Sequence, residues 1–262
     1  MTYTEMNLVG ALERLAGEDL TAWTQEQWDQ VDQFHAGGPQ AVERMLRGLN
    51  LEPGMKVLDV GSGLGGPARQ VARTSGCTVV GVDITAAYVD AAQALTNLVG
   101  LSRQVSFVCS DIASFEPSRF DAGYTMHVQM SVADKGAFFR EIRDHLRPRA
   151  RFATFEVCLG GSSHHALPVP LPWSIDGTDN FLSTPDDLLD TIHSSGFEVV
   201  DWVDESAWSR GWFDDARERM AVGGTGASLP ALLIDGPNRV LNFALALDEG
   251  TVTVHRGSFI CA

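Results

Sequence analysis

The sequence predicts an α/β fold in which helices cover both faces of a mostly parallel sheet. Between residue 55 and about residue 160, short β-branched runs alternate with segments of helical periodicity, a pattern typical of βαβ units. A cluster of glycines directly follows the first of these runs, where such folds turn sharply from strand to helix. With 262 residues, 44% of them hydrophobic, the chain can bury a large core without disulfides or metals.

The central part of the chain, residues 51–160, is expected to alternate strands with helices. The predicted strands are Lys56–Val60, Thr78–Asp83, Val105–Cys109, Phe120–Met126 and Arg151–Val157. The predicted helices are Pro67–Ser75, Ala86–Leu98 and Asp134–Leu146. We expect the strands to form one parallel sheet, because a helix separates most consecutive strands.

The first 50 residues predict a helical cap ahead of this sheet. Apolar residues recur there at helical spacing in three segments, which are Val9–Leu15, Gln25–Phe34 and Ala41–Leu49. The pair Gly37-Gly38 separates the last two segments and predicts a break between them.

Residues 161–182 form a loop rich in Gly, Ser and Pro, and residues 183–262 complete the sheet. Ser183-Thr184-Pro185-Asp186 begins a helix, because Pro fits the first helical turn and acidic side chains favour its positive end. A sixth strand at Phe197–Val203 and a final strand at Thr251–Ile260 follow, with helices between them. No linker or repeat interrupts the pattern, so we expect a single domain over residues 1–262.

Composition and charge exclude several classes of function. The formal net charge is -15, and no stripe of Lys and Arg is present, which argues against a nucleic-acid substrate. No apolar run approaches the roughly 18 to 20 residues of a membrane span. The first residues lack the basic start of a secretory signal, so we expect a soluble, cytoplasmic protein.

The cysteines and histidines do not have the spacing of metal ligands. The four cysteines, which are Cys77, Cys109, Cys158 and Cys261, lie far apart in apolar runs and are expected to be buried thiols. We therefore predict neither a disulfide framework nor a metal site.

The glycine cluster Gly61-Ser62-Gly63-Leu64-Gly65-Gly66 is typical of a nucleotide site. Glycines allow a tight turn and a close approach of ligand to backbone, and the next helix then directs free N–H groups at the site. The cluster fits both the dinucleotide pattern G-x-G-x-x-G and the pattern G-x-G-x-G. The glycines alone therefore leave the ligand open.

Two acidic residues extend this pattern. Asp83 ends the second strand about 20 residues after the glycines, where a carboxylate can accept both hydroxyls of a ribose; alternatively, it caps the helix that begins at Ala86. Asp111 follows the third strand and can accept from an adenine amino group while Ile112 covers the ring, or it forms an Asx turn. No Tyr-x-x-x-Lys pair is present, and a strand ends the chain, which favours a ligand other than NAD.

In order, these motifs resemble those of class I S-adenosylmethionine-dependent methyltransferases. The matching segments are Val57–Gly65, Val80–Asp83, Ser110–Ile112 and Phe120–Tyr124. Asp32-Gln33-Phe34-His35, His127-Val128-Gln129-Met130 and Asp134-Lys135 are most similar to the small-molecule branch that includes quinone and sarcosine/dimethylglycine methyltransferases. Arg147-Pro148-Arg149-Ala150 departs from the usual Pro-Gly-Gly, at a turn away from the expected site.

The resemblance implies a Rossmann-like, seven-stranded sheet with an antiparallel last strand, and S-adenosylmethionine as the cofactor. It implies that Asp83 holds the ribose, that Ile84 packs on the adenine, and that Gly61 and Gly63 face the methionine part. Arg69 would either reach the cofactor carboxylate or lie solvated on the surface. The full set of implied cofactor residues is Asp59, Gly61, Ser62, Gly63, Gly65, Asp83, Ile84, Asp111, Ile112, Gln33 and His35.

The implied reaction is methyl transfer to a small-molecule acceptor at N, O or C by in-line displacement. His127 follows the fourth strand at the carboxyl edge of the sheet and is predicted to be a base or an orienting group; the alternative is a packed histidine. Gln129, Met130 and Trp173 are predicted to contact the acceptor, with Trp202 and Trp208 as further aromatic candidates. The alternatives are an NAD-dependent oxidoreductase and a cofactor-binding protein that promotes a reaction such as cyclisation. A homodimer is compatible with the sequence.

Overall fold

A seven-stranded sheet lies at the centre of the computed structural model, which describes residues 7–17, 20–116, 119–161, 167–221 and 229–262. The strands are β1 (Lys56–Val60), β2 (Thr78–Asp83), β3 (Val105–Cys109), β4 (Phe120–Met126), β5 (Leu146–Leu159), β6 (Phe197–Asp204) and β7 (Val252–Cys261). Their order across the sheet is β3-β2-β1-β4-β5-β7-β6.

Helices flank this sheet on both faces. Those before β4 are α1 (Leu8–Ala16), α2 (Gln25–Asp29), α3 (Gly38–Leu46), α4 (Gly66–Ser75) and α5 (Ala86–Leu98). Those after β4 are α6 (Lys135–His145), α7 (Pro185–Ser194), α8 (Ser206–Ala221), α9 (Leu229–Leu232) and α10 (Gly236–Asp248). None of the helices in the described part of the chain is long and apolar enough to cross a membrane.

The strand order reverses between β1 and β4, which places a crevice at the carboxyl ends of these strands. β1 pairs in parallel with β2 on one side and with β4 on the other, in a register that aligns Val60 with both Val82 and Thr125. Open α/β sheets bind ligands outside the carboxyl edge at such a reversal. The residues that follow β1, β2 and β4 are therefore expected to line the ligand site.

The last strand, β7, runs antiparallel between β5 and β6. This confirms the mostly parallel, seven-stranded sheet that the resemblance implied. Alternation along β5 directs Ala153, Phe155 and Val157 to one apolar layer and Phe152 and Cys158 to the other. The two layers are the cores under the helices on each face.

Strand prediction was accurate where β-branched runs end in turn residues. The predicted bounds of β1 to β4 match those of the structure. β5 begins earlier than predicted, because Arg147-Pro148-Arg149 extends the strand around a register irregularity opposite β4. Arg149 takes a φ of +66° there and forms an ion pair with Glu198, with 2.9 Å between Nη1 and Oε2.

Two further predictions are corrected. The helix predicted over Gln25–Phe34 ends at Asp29, because residues 31–33 and 35–38 are all buried, and a helix would bury only one face of such a run. Cys109 is exposed, because it ends the edge strand β3; Cys77, Cys158 and Cys261 are buried, and all four thiols are free. Residues 162–166 of the predicted loop lie outside the described residues.

The N-terminal cap is attached to the glycine turn by a buried ion pair. Arg69, on α4, donates from Nη2 to Asp32 Oδ2 over 2.8 Å and to the carbonyl of Leu64 over 2.7 Å. Its Nη1 donates to the hydroxyl of Thr96 on α5 over 3.0 Å. Arg69 and Asp32 are only 2% and 3% exposed, so Arg69 is not the solvated residue that one prediction allowed. It joins the cap, the turn and α5 at one point.

We expect Asp32→Ala to lower the free energy of unfolding by about 3–5 kcal/mol, because it leaves the buried Arg69 guanidinium without its counter-charge. The measurement is urea-induced unfolding followed by circular dichroism. The control is Glu198→Ala, which removes an exposed pair and should change stability by about 1 kcal/mol or less. Equal effects of the two substitutions would contradict this account.

Candidate active site

The glycine turn after β1 leaves one open position and two tightly packed ones. Gly61, Gly63 and Gly65 have φ values of +76°, +52° and +77°, which favour glycine. A Cβ on Gly61 would lie 2.3 Å from Val128 Cγ2, and one on Gly65 would lie 2.3 Å from Phe107 Cζ. A Cβ on Gly63 would meet no atom within 4 Å. Gly61 and Gly65 thus allow close packing, whereas the backbone at Gly63 is open to a ligand.

The carboxylate of Asp83 lies against this turn at the end of β2. Its Oδ2 accepts from the backbone N–H of Gly63, and its Oδ1 accepts from that of Thr85, each over 2.9 Å. Thr85, not Asp83, is the N-cap residue of α5, so the capping alternative does not describe its position. Burial raises the pKa of Asp83. Carboxylate oxygens accept hydrogen bonds from hydroxyl groups, so Asp83 is placed to bind a ribose at the turn.

The neighbouring strand ends provide an apolar surface beside Asp83. Ile84 is 71% exposed, the highest value among the exposed large apolar side chains of the described residues, so it can contact a planar ring. Ile112 is instead buried in the core. Asp111 Oδ1 accepts from the N–H of Ala113 over 2.9 Å, so the Asx-turn alternative is present in the structure. That bond leaves acceptor capacity on the Asp111 carboxylate for an amino group.

Three buried polar side chains, those of Asp59, Ser62 and Tyr124, lie in or beside the turn. Asp59, on β1, is 2% exposed, and burial raises the pKa of its carboxyl to about 7, partly offset by the adjacent Tyr124 hydroxyl. Neither Asp59 Oδ2 nor the Tyr124 hydroxyl makes a hydrogen bond of good geometry among the described residues. The buried hydroxyl of Ser62 has no partner there either. Buried polar groups without partners are typical of sites that a ligand completes.

His127 occupies a hydrophobic enclosure directly after β4. Its backbone N–H donates to the carbonyl of Phe155 over 2.9 Å, and its φ of +53° turns the chain away from the sheet. The ring lies 5.9 Å from the centroids of both Phe155 and Phe243 and 6.1 Å from that of His35. Burial, reinforced by His35, lowers the pKa of His127 well below its usual value. His127 is therefore a neutral imidazole whose Nε2 has no hydrogen-bond partner among the described residues.

The cap brings His35 and Gln33 to the same edge of the sheet. His35 Nε2 donates to the carbonyl of Gly38 over 3.0 Å, and burial lowers the pKa of His35 to about 4. Gln33 Nε2 donates to Gln70 Oε1 over 3.3 Å, while its own buried Oε1 has no partner in the described chain. His35 therefore adjoins His127, and Gln33 adjoins α4.

Sequence reasoning missed Glu156, which lies beneath the His127 segment. Glu156, on β5, is fully buried; its Oε2 accepts from the N–H groups of Val128 and Gln129 over 2.9 and 3.2 Å. Its Oε1 accepts from the hydroxyl of Thr125 over 3.2 Å. Burial raises its pKa to about 7, although all three hydrogen bonds favour the charged form. A lone acidic residue inside the apolar run Arg151–Val157 was the signal that could have identified it.

The residues predicted to contact an acceptor are packed tightly. The side-chain amide of Gln129 donates to the carbonyl of Val157, and Met130 is buried in the core. Trp173 is 1% exposed and lies behind Phe243, with 5.3 Å between their ring centroids. Trp208 packs edge-on against Phe155 at 6.2 Å, whereas Trp202 stacks on His255. Trp173 and Trp208 thus support the two rings that flank His127.

Comparisons with known proteins agree with this geometry. A model of the family described as "Methyltransferase domain" matches residues 58–154, which include the turn, both acids and His127. The chain is 30% identical over 160 residues to cycloartenol-C-24-methyltransferase of Arabidopsis thaliana, a match covering 58% of this chain and 47% of the relative. Over residues 58–154 the chain is thus similar to a methyltransferase domain, and it shares the fold of geranyl diphosphate methyltransferase solved with S-adenosylmethionine.

Other known proteins match more of the chain at lower identity. Methyltransferase GfsG of Streptomyces halstedii is 26% identical over 183 residues, covering 69% of this chain and 66% of GfsG. The chain spans about half the length of the first curated relatives that it matches. Phosphoethanolamine N-methyltransferase 2 of Haemonchus contortus, solved with S-adenosyl-L-methionine, superposes with a TM-score of 0.74 at 18% identity, covering 98% of this chain and 60% of that one. The [4+2]-cyclase SpnF superposes with a TM-score of 0.66 at 23% identity, covering 85% and 80%, so it shares the fold.

The residues present fit S-adenosylmethionine, the ligand with which a structural neighbour of the same fold was solved. The open backbone at Gly63, the carboxylate of Asp83 and the exposed Ile84 suit an amino-acid chain, a ribose and an adenine in that order. Together with the matched methyltransferase domain, these features favour S-adenosylmethionine over a dinucleotide at the glycine turn.

We expect Asp83→Ala to weaken binding of S-adenosylhomocysteine at least tenfold, because two hydroxyls would lose a charged acceptor. Isothermal titration calorimetry gives the affinity. The matched control is Asp90→Ala, at an exposed position on α5, which should bind like the wild type. Unchanged affinity in Asp83→Ala, or comparable binding of NADH by the wild type, would contradict this assignment.

We expect the pH dependence of stability to change in Glu156→Gln. In the wild type, the folded-state pKa of Glu156 is raised to about 7 from 4.5, so the folded protein holds this proton more tightly than the unfolded chain. Stability should therefore fall as pH rises from about 5 to 8, by about 3 kcal/mol from this residue. The nearly isosteric Gln removes that contribution.

The measurement compares urea unfolding of the wild type and Glu156→Gln at several pH values between 5 and 8. A reduced slope in Glu156→Gln supports the assignment. Asp187→Asn, on the exposed start of α7, is the control and should retain the wild-type slope. Parallel curves for Glu156→Gln and the wild type would show that Glu156 does not titrate in this range.

Proposed function

We propose that this chain transfers the methyl group of S-adenosylmethionine to a nitrogen, oxygen or carbon atom of a small-molecule acceptor. The observation that carries the proposal is the neutral, enclosed His127 imidazole. The next residue, Val128, packs against Gly61 of the glycine turn, so the base and the turn share one cleft. Both lie at the carboxyl edge of the sheet, where the strand order reverses.

The chain's own residues position the acceptor and exclude water. When bound, S-adenosylmethionine supplies a methyl group made electrophilic by its sulfonium. The rings of Phe155 and Phe243 keep the surroundings of His127 dry, and alignment in a dry site lowers the barrier to displacement. The unpartnered Nε2 of His127 can accept the proton that an O–H or N–H acceptor loses, or orient an acceptor that loses none.

We assign the remaining roles from position. Asp83 binds the ribose, Ile84 and Asp111 contact the adenine, and the backbone at Gly63 faces the methionine part. Ile112, Asp59, Ser62, Gly61 and Gly65 shape that cleft from beneath, and Gln33 and His35 close it from the cap. Gln129, Met130 and Trp173 support the acceptor side.

We propose an acceptor that is largely apolar near the methylated atom. The rings around His127 belong to Phe155, Phe243 and His35. The two phenyl rings carry no charge, and burial keeps the His35 ring neutral by lowering its pKa to about 4. Relatives named for sterols and structural neighbours named for geranyl diphosphate support an apolar acceptor. These neutral rings offer no negative charge that would stabilise an acceptor with a positive charge at its reacting atom.

We also propose that residues 1–262 work as one methyltransferase domain, with 1–50 as the cap, 51–160 as the cofactor core, 161–182 as the acceptor loop and 183–262 completing the sheet. The Asp32–Arg69 pair supports a cap that acts with the core. A cytoplasmic location agrees with the four free thiols. A homodimer stays a prediction.

The test is the reaction of the purified chain with methyl-labelled S-adenosylmethionine and a panel of alcohols, amines and activated-carbon acceptors of apolar character. Labelled product with matching release of S-adenosylhomocysteine would support the proposal. Conversion of an acceptor while the cofactor stays intact would instead indicate a non-transfer reaction such as cyclisation, and would overturn the proposal.

With a converted O–H or N–H acceptor, we expect His127→Gln to lower kcat by about 100- to 10,000-fold, because the base is lost. Binding of S-adenosylhomocysteine should stay within about twofold of wild type, since Asp83 and the turn are untouched. The exposed His193→Gln on α7 serves as the control. Full activity in His127→Gln would remove His127 from the mechanism.

A further inference from the structure

A cavity of about 410 Å³ lies away from the candidate active site. It is bounded by the C-terminal end of α3, the start of β5 and the adjoining parts of β6 and β7. Its lining residues are Arg44, Arg47, Gly48, Asn50, Arg151, Val200, Asp201, Glu205, Arg256 and Ser258. Arg151 precedes Glu156 by five residues along β5, which corresponds to about 17 Å of strand. The cavity therefore lies toward the amino edge of the sheet, opposite the carboxyl edge that carries the glycine turn.

Two of the four arginines in this cavity are held by carboxylates. Glu205 accepts from Arg44 Nη1 through Oε2 and from Arg256 Nε through Oε1, each over 3.0 Å. Asp201 Oδ2 accepts from Arg256 Nη2 over 3.1 Å. The Arg44 guanidinium also lies 4.3 Å above the centroid of the Trp208 ring. These contacts fix two guanidinium groups in place before any ligand binds.

The other two arginines give the cavity a positive excess. No carboxylate of the described residues forms an ion pair with Arg47 or Arg151. The cavity walls therefore carry two more positive than negative formal charges, on a chain whose net charge is -15. A cavity with a net positive charge attracts anions.

A helix-end effect accounts for only part of this cluster. Arg44 and Arg47 lie in or after the last turn of α3, where cations stabilise the negative end of the helix dipole. Arg151 and Arg256 belong to the sheet and have no such role. Guanidinium groups from two kinds of element converge on one cavity, whose volume is typical of small-molecule sites.

We propose that this cavity, called here the arginine pocket, binds a small dianion of the phosphate-monoester class. The planar guanidinium donates two parallel N–H groups to oxyanions, and two unpaired positive charges match a doubly charged phosphate. The hydroxyl of Ser258 adds a neutral hydrogen-bonding group to the lining. A nucleic acid is disfavoured, because the net charge of -15 opposes binding of an extended polyanion.

The test measures binding of inorganic phosphate and of phenyl phosphate to the full chain by isothermal titration calorimetry, against sodium chloride of equal ionic strength. We expect saturable binding of both phosphates by the wild type. We expect Arg47→Gln/Arg151→Gln to weaken it at least tenfold, because both unpaired charges are lost. Arg103→Gln/Arg140→Gln, at exposed arginines elsewhere, should bind like the wild type.

Binding of S-adenosylhomocysteine is measured on every variant and should not change, which shows that each variant is folded and that the two sites are separate. Arg47→Gln alone, at an exposed position, should weaken phosphate binding in the same direction by a smaller factor. The proposal is overturned if the wild type binds phosphate no better than chloride, or if the double variant binds as well as the wild type. Loss of phosphate binding on saturation with S-adenosylhomocysteine would place the anion in the cofactor cleft and would also overturn it.

Discussion

The buried guanidinium of Arg69 is the contact on which the cofactor side of this protein depends. It lies within hydrogen-bond distance of the cap through Asp32, of the glycine turn through Leu64 and of α5 through Thr96. A charge buried to this extent is stable only when all its partners stay in place. Arg69, and not a ligand, fixes the shape of the turn. The backbone of Gly63 can therefore stay open. Asp32 attaches the cap to the same guanidinium, which also fixes the position of the cap beside the cleft.

A second constraint is the low charge of the buried groups around the cleft. Burial raises the pKa of both Asp59 and Glu156 to about 7 and lowers those of His35 and His127 below their usual values. An acidic chain thus surrounds a cleft whose inner groups are poised to be neutral near pH 7. Such groups can move a proton without creating a buried, uncompensated charge. Glu156 adds rigidity, because the backbone that carries His127 is attached to it by two hydrogen bonds.

Local sequence patterns predicted the parts of the fold that depend on local physics. The bounds of β1 to β4 follow from short runs of β-branched and aromatic residues, of which the first stops before Gly61 and the second ends at Asp83, and the turn follows from its glycines. The start of β5 and the end of α2 were missed, because each is set by packing against distant residues. Arg69 was misjudged for the same reason, since its partner Asp32 lies 37 residues away in the chain. Glu156 was overlooked because its role exists only when β4 and β5 are adjacent.

The packing around Trp208 explains how one layer of rings can separate two chemically different cavities. Its ring is contacted by Arg44 on one side and by Phe155 on another, and a Cβ on Gly37 would lie 2.4 Å from it. Arg44 lines the arginine pocket, whereas Phe155 flanks His127, so the same indole supports both. Contiguous contacts alone do not couple two sites, because coupling needs an element with two arrangements. An indole confined on three sides has little room for a second arrangement. The Trp208 ring therefore forms a rigid wall between the cationic arginine pocket and the neutral His127.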